Sequence, residues 1–455
     1  MVVMPTAAPS APTSLAALAD ATPEDRNRVV DLLRGAAILV VCLGHWLMAA
    51  VYVDDAGALR RGDLLGIATW THPLTWVLQV MPVFFLVGGY ANAISWRGAR
   101  RRGTSYGGWL RARLRRLTLP LLPLMLFWAV VAPAASALGV DGATLRIASM
   151  ASLVPTWFLA VYVLVVALAP ATLVLWERWG WWSIVGGAAL AGLVDLVSIS
   201  QDLLLVGFLN YLLVWGTVHQ LGYAWRDGAL RGRGRRLLLA AAGLVGLLLL
   251  VGLGPYGVSM VGVKGYGVDN SYPARVTLLA LGVLQAGLVM AAEPFLARVV
   301  ARRRVWMATI FVNARIMTIY LWHLTALGLV VALSLALGGF GLGVAPDTTT
   351  WWLTRPLWFG TLAAVTALLV VLLGRFEQPA RDDRPAPPAV LPVLAMLVTC
   401  AALGVMADLG IAERSGEVNA WLPWIPVLAS VAFGVSRLPL PRAWHRRPPA
   451  HDPEV

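Results

Sequence analysis

Charge is scarce in this chain. Only 13% of its 455 residues are Asp, Glu, Lys or Arg, about half the roughly 25% of an ordinary soluble domain, while 59% are hydrophobic and mean hydropathy is strongly positive. That balance excludes a soluble enzyme. There are two cysteines, Cys42 and Cys400, both inside apolar segments, so no disulfide framework is implied. The six histidines have no neighbours at metal-ligand spacing, so no metal motif is present in the sequence. Residues 1–25 lack the basic start and sustained apolar core of a signal peptide. Rich in Ala, Pro, Ser and Thr, they read as a disordered tail, and residues 441–455 read as a second, basic one.

What the chain has instead is apolar runs of membrane-spanning length, recurring from residue 29 to 438 with short polar breaks. Hydropathy places twelve spans at 29–52, 73–95, 117–138, 154–176, 181–199, 203–224, 237–255, 275–295, 307–337, 355–374, 388–408 and 421–438. The expected fold is all-α, a polytopic transmembrane helix bundle. With the N-terminus inside, 27 of the 36 Lys and Arg fall in inner segments and 7 in outer ones, Arg34 and Arg315 lying within spans. The net charge of +13 is thus an orientation signal with both termini cytoplasmic, and nothing in it requires nucleic acid. The expected location is an integral, multi-pass position in the plasma membrane.

Against this background, the first span, "RVVDLLRGAAILVVCLGHW", carries Asp31, Arg34 and His45. An ionisable group at that depth costs at least about 2.5 kcal/mol without a partner or cavity, which makes it a functional candidate by default. Arg34 and His45 are eleven residues apart, close to three turns and about 16 Å along one face. Asp31 can pair with Arg34 from three residues away. Two readings stand: a structural ion pair with a hydrogen-bonded interhelix histidine, or a polar path. In the span 307–337, Arg315 and His323 repeat the plan, arginine nearer the inner side and histidine deeper. Such a path suits an anionic cytoplasmic cofactor whose reactive end reaches toward the far leaflet.

The motif order along the chain resembles the acyltransferase-3 family of membrane O-acyltransferases. The resemblance is carried by the Arg-Gly pair with a histidine eleven residues after the arginine, by "MPVFFLVGGY" (81–90), by "RLRRLTLP" (113–120) with Arg113 and Arg116, by "IYLWH" (319–323) and by "FEQP" (376–379). Three departures accompany it. Gly88-Gly89 stands where the family has Ser-Gly, the stretch 155–170 has no glutamate, and no hydrolase-like domain follows, so transfer would be completed by this chain or by a separate partner. The expected organisation is a tail at 1–25, an acyltransferase-like membrane domain at 26–385 built of ten helices, two further transmembrane helices at 386–440 and the basic tail at 441–455.

The resemblance implies transfer of an acyl group, usually acetyl, from acetyl-CoA or another acyl-CoA to a hydroxyl of a glycan, glycolipid or small product at the outer face. His45 would act as general base or as a covalent acyl relay. Asp31, Arg34 and His323 belong to the same expected site. Asp195 would orient His45 as a carboxylate orients histidine in a Ser-His-Asp array, an outer-surface position being its other reading. Arg34, Arg113, Arg116 and Arg315 would hold the CoA phosphates, because guanidinium forks match phosphate oxygens in pairs; for Arg113 and Arg116 plain anchoring at the inner face is the other reading. His72, beside Pro73, is expected in solvent. The rival class is a transporter or flippase that uses buried Arg, His and Asp as a substrate or proton path.

Overall fold

The computed structural model describes residues 14–263, 265–377, 384–413, 415 and 417–436. The expected basic tail and residues 1–13 lie outside the described residues. The architecture is a helix bundle: α1 (Leu15–Asp20), α2 (Arg28–Met48), α3 (Met81–Arg101), α4 (Tyr106–Thr118), α5 (Leu121–Ala137), α6 (Gly142–Leu153), α7 (Pro155–Trp179), α8 (Trp181–Ser200), α9 (Asn210–Arg226), α10 (Arg233–Leu253), α11 (Val276–Ala301), α12 (Arg303–Ala314), α13 (Ile316–Ala336), α14 (Thr349–Leu373), α15 (Val390–Leu409) and α16 (Trp424–Ala432). One hairpin interrupts it, β1 (Ala49–Val53) antiparallel to β2 (Leu59–Asp63).

Among the described residues, ten helical stretches are long and apolar enough to cross a membrane, and they coincide with ten of the twelve expected spans. The span expected at 117–138 is a bent pair, α4 and α5 meeting at 46°, because Pro120 at the junction supplies no N–H to continue the ladder. Among the described residues, the span expected at 421–438 holds only the nine-residue α16, about 13 Å long, bounded by Pro423 and by Gly434 at φ 70°. Its Ser430 joins Leu114 and Thr118 of α4 and Met396 of α15 around a small crevice. The segment expected to be a disordered tail contains α1, capped by Ser14 and docked on α12 through Asp20–Arg303 (3.0 Å) and Trp306 Nε1 donating to Thr22 Oγ1 (3.0 Å).

In lipid there is little hydrophobic drive between helices, so close packing falls to small residues. Gly89 of α3 and Gly222 of α9 lie against each other's backbone, and a Cβ on Gly89 would run into the His219 carbonyl. Gly243 of α10 and Gly287 of α11 meet their partners the same way. Most of the arginines gather at one end of the bundle. The hairpin and the loops 254–275 and 337–348 lie at the other.

Candidate functional site

Two polar groups occupy the first span. At the arginine-rich end, Asn27 caps α2 by accepting from the Val29 N–H (3.1 Å), which starts the helix just before Asp31. One turn in, Arg34 Nη2 donates to Asp31 Oδ1 (2.8 Å) and Arg26 Nε to Asp31 Oδ2 (2.6 Å), so one carboxylate serves two guanidinium groups. Arg34 Nε donates to Asn313 Oδ1 (2.7 Å), and Asn313 Nδ2 donates to the Asp31 carbonyl (2.9 Å). Gly35 makes this approach possible, since a Cβ there would stand 3.2 Å from Asn313 Nδ2 and 3.3 Å from Val312. The Arg-Gly pair of the sequence is therefore a packing device: the arginine bonds to α12 and the glycine lets α12 come near.

Arg26, Asp31, Arg34 and Asn313 line a cleft of about 230 Å³ together with Arg116, Trp306 and Thr309, and with Leu18 and Thr22 from the N-terminal segment. Arg113 and Arg116 both act electrostatically on Arg34 and on the buried Tyr162, so the three cations form one cluster. Arg113 also stacks over Trp109 at 5.8 Å. Asn313 escaped sequence reasoning because a lone asparagine near a span boundary carries no periodic signal.

Arg315 is not in this cluster. The expected single span 307–337 breaks at this residue, whose φ of −127° and ψ of 14° separate α12 from α13. Its guanidinium rests on Gly374, with Nη1 3.4 Å from the Gly374 carbonyl. The break is stabilised by Glu377, whose carboxylate accepts from the Met317 N–H (2.9 Å), the Thr318 N–H (3.1 Å) and the Thr318 hydroxyl (2.8 Å). An acidic group on the exposed N–H groups of a helix start is favourable in hydrogen bonding and in charge. Arg315 thus stands at the start of α13 with His323 further along the same helix, but it lines no part of the cleft that holds Arg34 and Arg116.

Deeper in the bundle α13 meets α2. His45 Nδ1 lies 2.8 Å from His323 Nε2, the rings nearly parallel at 13° with centroids 5.1 Å apart. His323 Nδ1 lies 2.6 Å from the Tyr320 carbonyl. A carbonyl only accepts, so His323 carries its proton on Nδ1 and its Nε2 is a lone pair. His45 must then donate through Nδ1, which leaves His45 Nε2 unprotonated and, among the described residues, unpartnered. The pair is held rigidly: His323 is fully buried, Trp46 Nε1 donates to the His323 carbonyl (2.9 Å), and the Tyr320 hydroxyl donates to the Pro155 carbonyl (2.7 Å). The polar path expected between Arg34 and His45 is not formed: the same face of α2 presents Ile38 and Cys42 there, each only 2% exposed, and on α2 the lining of the cleft ends at Arg34.

Asp195 does not orient His45. Its Oδ1 accepts from Asn210 Nδ2 (2.8 Å) and Arg275 Nη1 (3.1 Å), its Oδ2 from the Val276 N–H (2.8 Å) and the Tyr256 hydroxyl (3.1 Å). The carboxylate pins the loop 254–275 to α8, and burial together with this neighbouring charge pushes the Tyr256 hydroxyl up. His323 takes the orienting place instead. His72 is buried rather than solvated, its Nε2 donating to the Leu65 carbonyl (2.7 Å).

No curated protein and no solved structure matches the chain. The profile of the acyltransferase-3 family, described as an acyltransferase domain, matches residues 27–375, a stretch that holds the histidine pair, the three arginines and all of the cleft's lining except Leu18, Thr22 and Arg26. The chain belongs to the acyltransferase-3 family and is an integral membrane acyltransferase.

Proposed function

We propose that the protein moves an acyl group, acetyl in the simplest case, from acyl-CoA at a cytoplasmic arginine-rich end to a hydroxyl of a glycan, glycolipid or small product at the opposite face. The observation that carries this reading is the free lone pair on His45 Nε2, directed there by the Tyr320 carbonyl through His323. A hydroxyl needs a base that is neutral near pH 7, and imidazole is the side chain suited to that. Nε2 would accept the hydroxyl proton as the oxygen attacks the thioester carbonyl. The carbon–sulfur bond breaks and the proton passes to the leaving thiolate, giving CoA and the ester. The same lone pair could attack the thioester first, and an acyl-imidazole trapped without acceptor would identify that route.

Arg34, Arg113 and Arg116 suit the phosphates of CoA. They are cationic and clustered, Arg34 and Arg116 line the open cleft, and among the described residues only Arg34 of the three has a carboxylate partner, which it shares. From Arg34 to His45 is about 16 Å along α2. A pantetheine arm spanning it would displace the apolar contacts of Ile38 and Cys42, so binding of acyl-CoA would open this face of the helix. The test is thiol release: purified protein with acetyl-CoA and a pool of hydroxylated acceptors should liberate free CoA and form acetyl ester. Solute movement without thiol release would reject the reading in favour of a transporter.

A further inference from the structure

Arg355 lies six residues into α14, about 9 Å from its start, at the end of the bundle opposite the arginine cluster. It is 7% exposed, and among the described residues no carboxylate meets it. Its Nε donates to the Trp351 carbonyl (3.2 Å), and the guanidinium lies over the rings of Trp351 (4.2 Å) and Trp358 (5.5 Å). Among the described residues neither Nη group has a hydrogen-bond partner. The buried indole nitrogens of Trp351 and Trp358 are also unpartnered. Ring contact offsets only part of what it costs to bury a guanidinium, and four bare donor positions within about two turns of helix need acceptors. The other buried arginine at this end, Arg275, has its carboxylate in Asp195; among the described residues Arg355 has none.

The surroundings say what this group is near. Trp351 packs with Ala50 and Leu64 beyond the end of α2, and Trp358 packs in the cluster of Trp46 and Leu324, the residues that follow His45 and His323. Arg355 therefore stands beside the last turn of the helix that bears the free imidazole nitrogen, on the side where an acceptor would arrive.

We infer that Arg355, with the indole N–H groups of Trp351 and Trp358, forms a site for a phosphate-type oxyanion, belonging either to a phosphate-bearing acceptor or to a lipid headgroup. A planar guanidinium stacked on aromatic rings keeps its two outer N–H edges free for such a group. This rests on the acceptor side proposed above, and it deepens that reading by giving the acceptor or its lipid a negative charge.

The test is binding of two phosphates to the full chain in a non-ionic, phosphate-free detergent. Glycerol 1-phosphate is the soluble phosphate and dihexanoyl phosphatidylglycerol the lipid one; glycerol and dihexanoylglycerol are the uncharged controls. Titrations read by thermal shift and calorimetry should show saturable binding of at least one phosphate and none of the controls. Arg355→Gln should weaken it at least tenfold, and Arg355→Lys, which keeps the charge and loses the fork, should fall between. Binding must survive in an Arg113→Gln, Arg116→Gln background, which removes anion binding at the other end. Binding of both phosphates assigns the site to the phosphate group itself; binding of the lipid alone assigns it to a headgroup. No saturable binding to the wild type, or undiminished binding in Arg355→Gln or, where that variant does not fold, in Arg355→Lys, overturns the inference. Neither readout depends on acyl transfer, so a failure here leaves the thiol-release result standing.

Discussion

Two buried polar clusters at different places in the bundle look alike in sequence and differ in one respect. Around Asp195, every carboxylate oxygen is occupied, by Asn210, Tyr256, Arg275 and a backbone N–H. Around His45, the hydrogen bonds run from His45 through His323 to the Tyr320 carbonyl and leave one strong acceptor over. A saturated cluster can only hold things in place. An unsaturated one, made rigid by its neighbours, is prepared for a group that the protein does not supply. The contrast says that Asp195 is structural and His45 chemical, and each substitution below either breaks it or sharpens it.

The largest effect belongs to His45. His45→Ala gives up one hydrogen bond, to His323 Nε2, about 1–3 kcal/mol, should still express and insert, and should lose on the order of 10²–10⁴-fold in turnover. Thiol release per mole of folded protein measures this, and activity within about threefold of wild type would remove His45 from the chemistry. His323→Ala should approach the same loss by freeing the His45 ring, yet imidazole added to the solution should restore it less well than it restores His45→Ala.

Asp195→Ala should show the opposite pattern. It leaves Arg275 buried without its carboxylate, a loss of about 3–5 kcal/mol, visible as a lowered unfolding temperature and poor yield. Turnover per folded molecule should stay near wild type. A stable Asp195→Ala protein with no activity would erase the distinction between the two clusters.

The same contrast explains which features were legible in the sequence. Asp31 and Arg34 are three residues apart on one helix, and helical periodicity alone predicts their contact, as observed at 2.8 Å. His45 and His323 stood out singly, as ionisable groups inside apolar spans. Their contact could not be read, because 278 residues separate them and no local pattern encodes which helix packs on which. For the same reason neither reading of Asp195, orienting His45 or lying at the outer surface, names its partner: Arg275 lies 80 residues away and sits in what reads as a loop boundary. The break at Arg315 was hidden because hydropathy runs on unbroken across it, and what favours the break is Glu377 from another element, capping the start of α13.

Glu377 gives a smaller, positional effect. Glu377→Gln keeps the shape and loses the charge at the start of the helix that bears His323. The expected cost is about 0.5–2 kcal/mol of stability, with a lower kcat and little change in the Michaelis constant for acyl-CoA. A change in the Michaelis constant alone would place Glu377 with the cofactor instead.

The smallest effect tests the arginine end. Arg34→Lys keeps the charge, and Lys can still reach Asp31, so insertion and folding should be unchanged. What it loses is the fork that bonds Asp31 and Asn313 at once. Without that fork α12 is tied less firmly across Gly35, and the wall of the cleft is less defined on the side where Arg116 faces it. The Michaelis constant for acyl-CoA should rise several-fold, about 1 kcal/mol, while kcat at saturating cofactor holds, because His45 sits three turns away and keeps its own partners. Asn313→Ala should reproduce the rise without touching any charge. If Arg34→Lys changes kcat and Asn313→Ala changes nothing, then Arg34 acts on the reacting group directly, and the separation between an arginine end that binds and a histidine pair that reacts would fail.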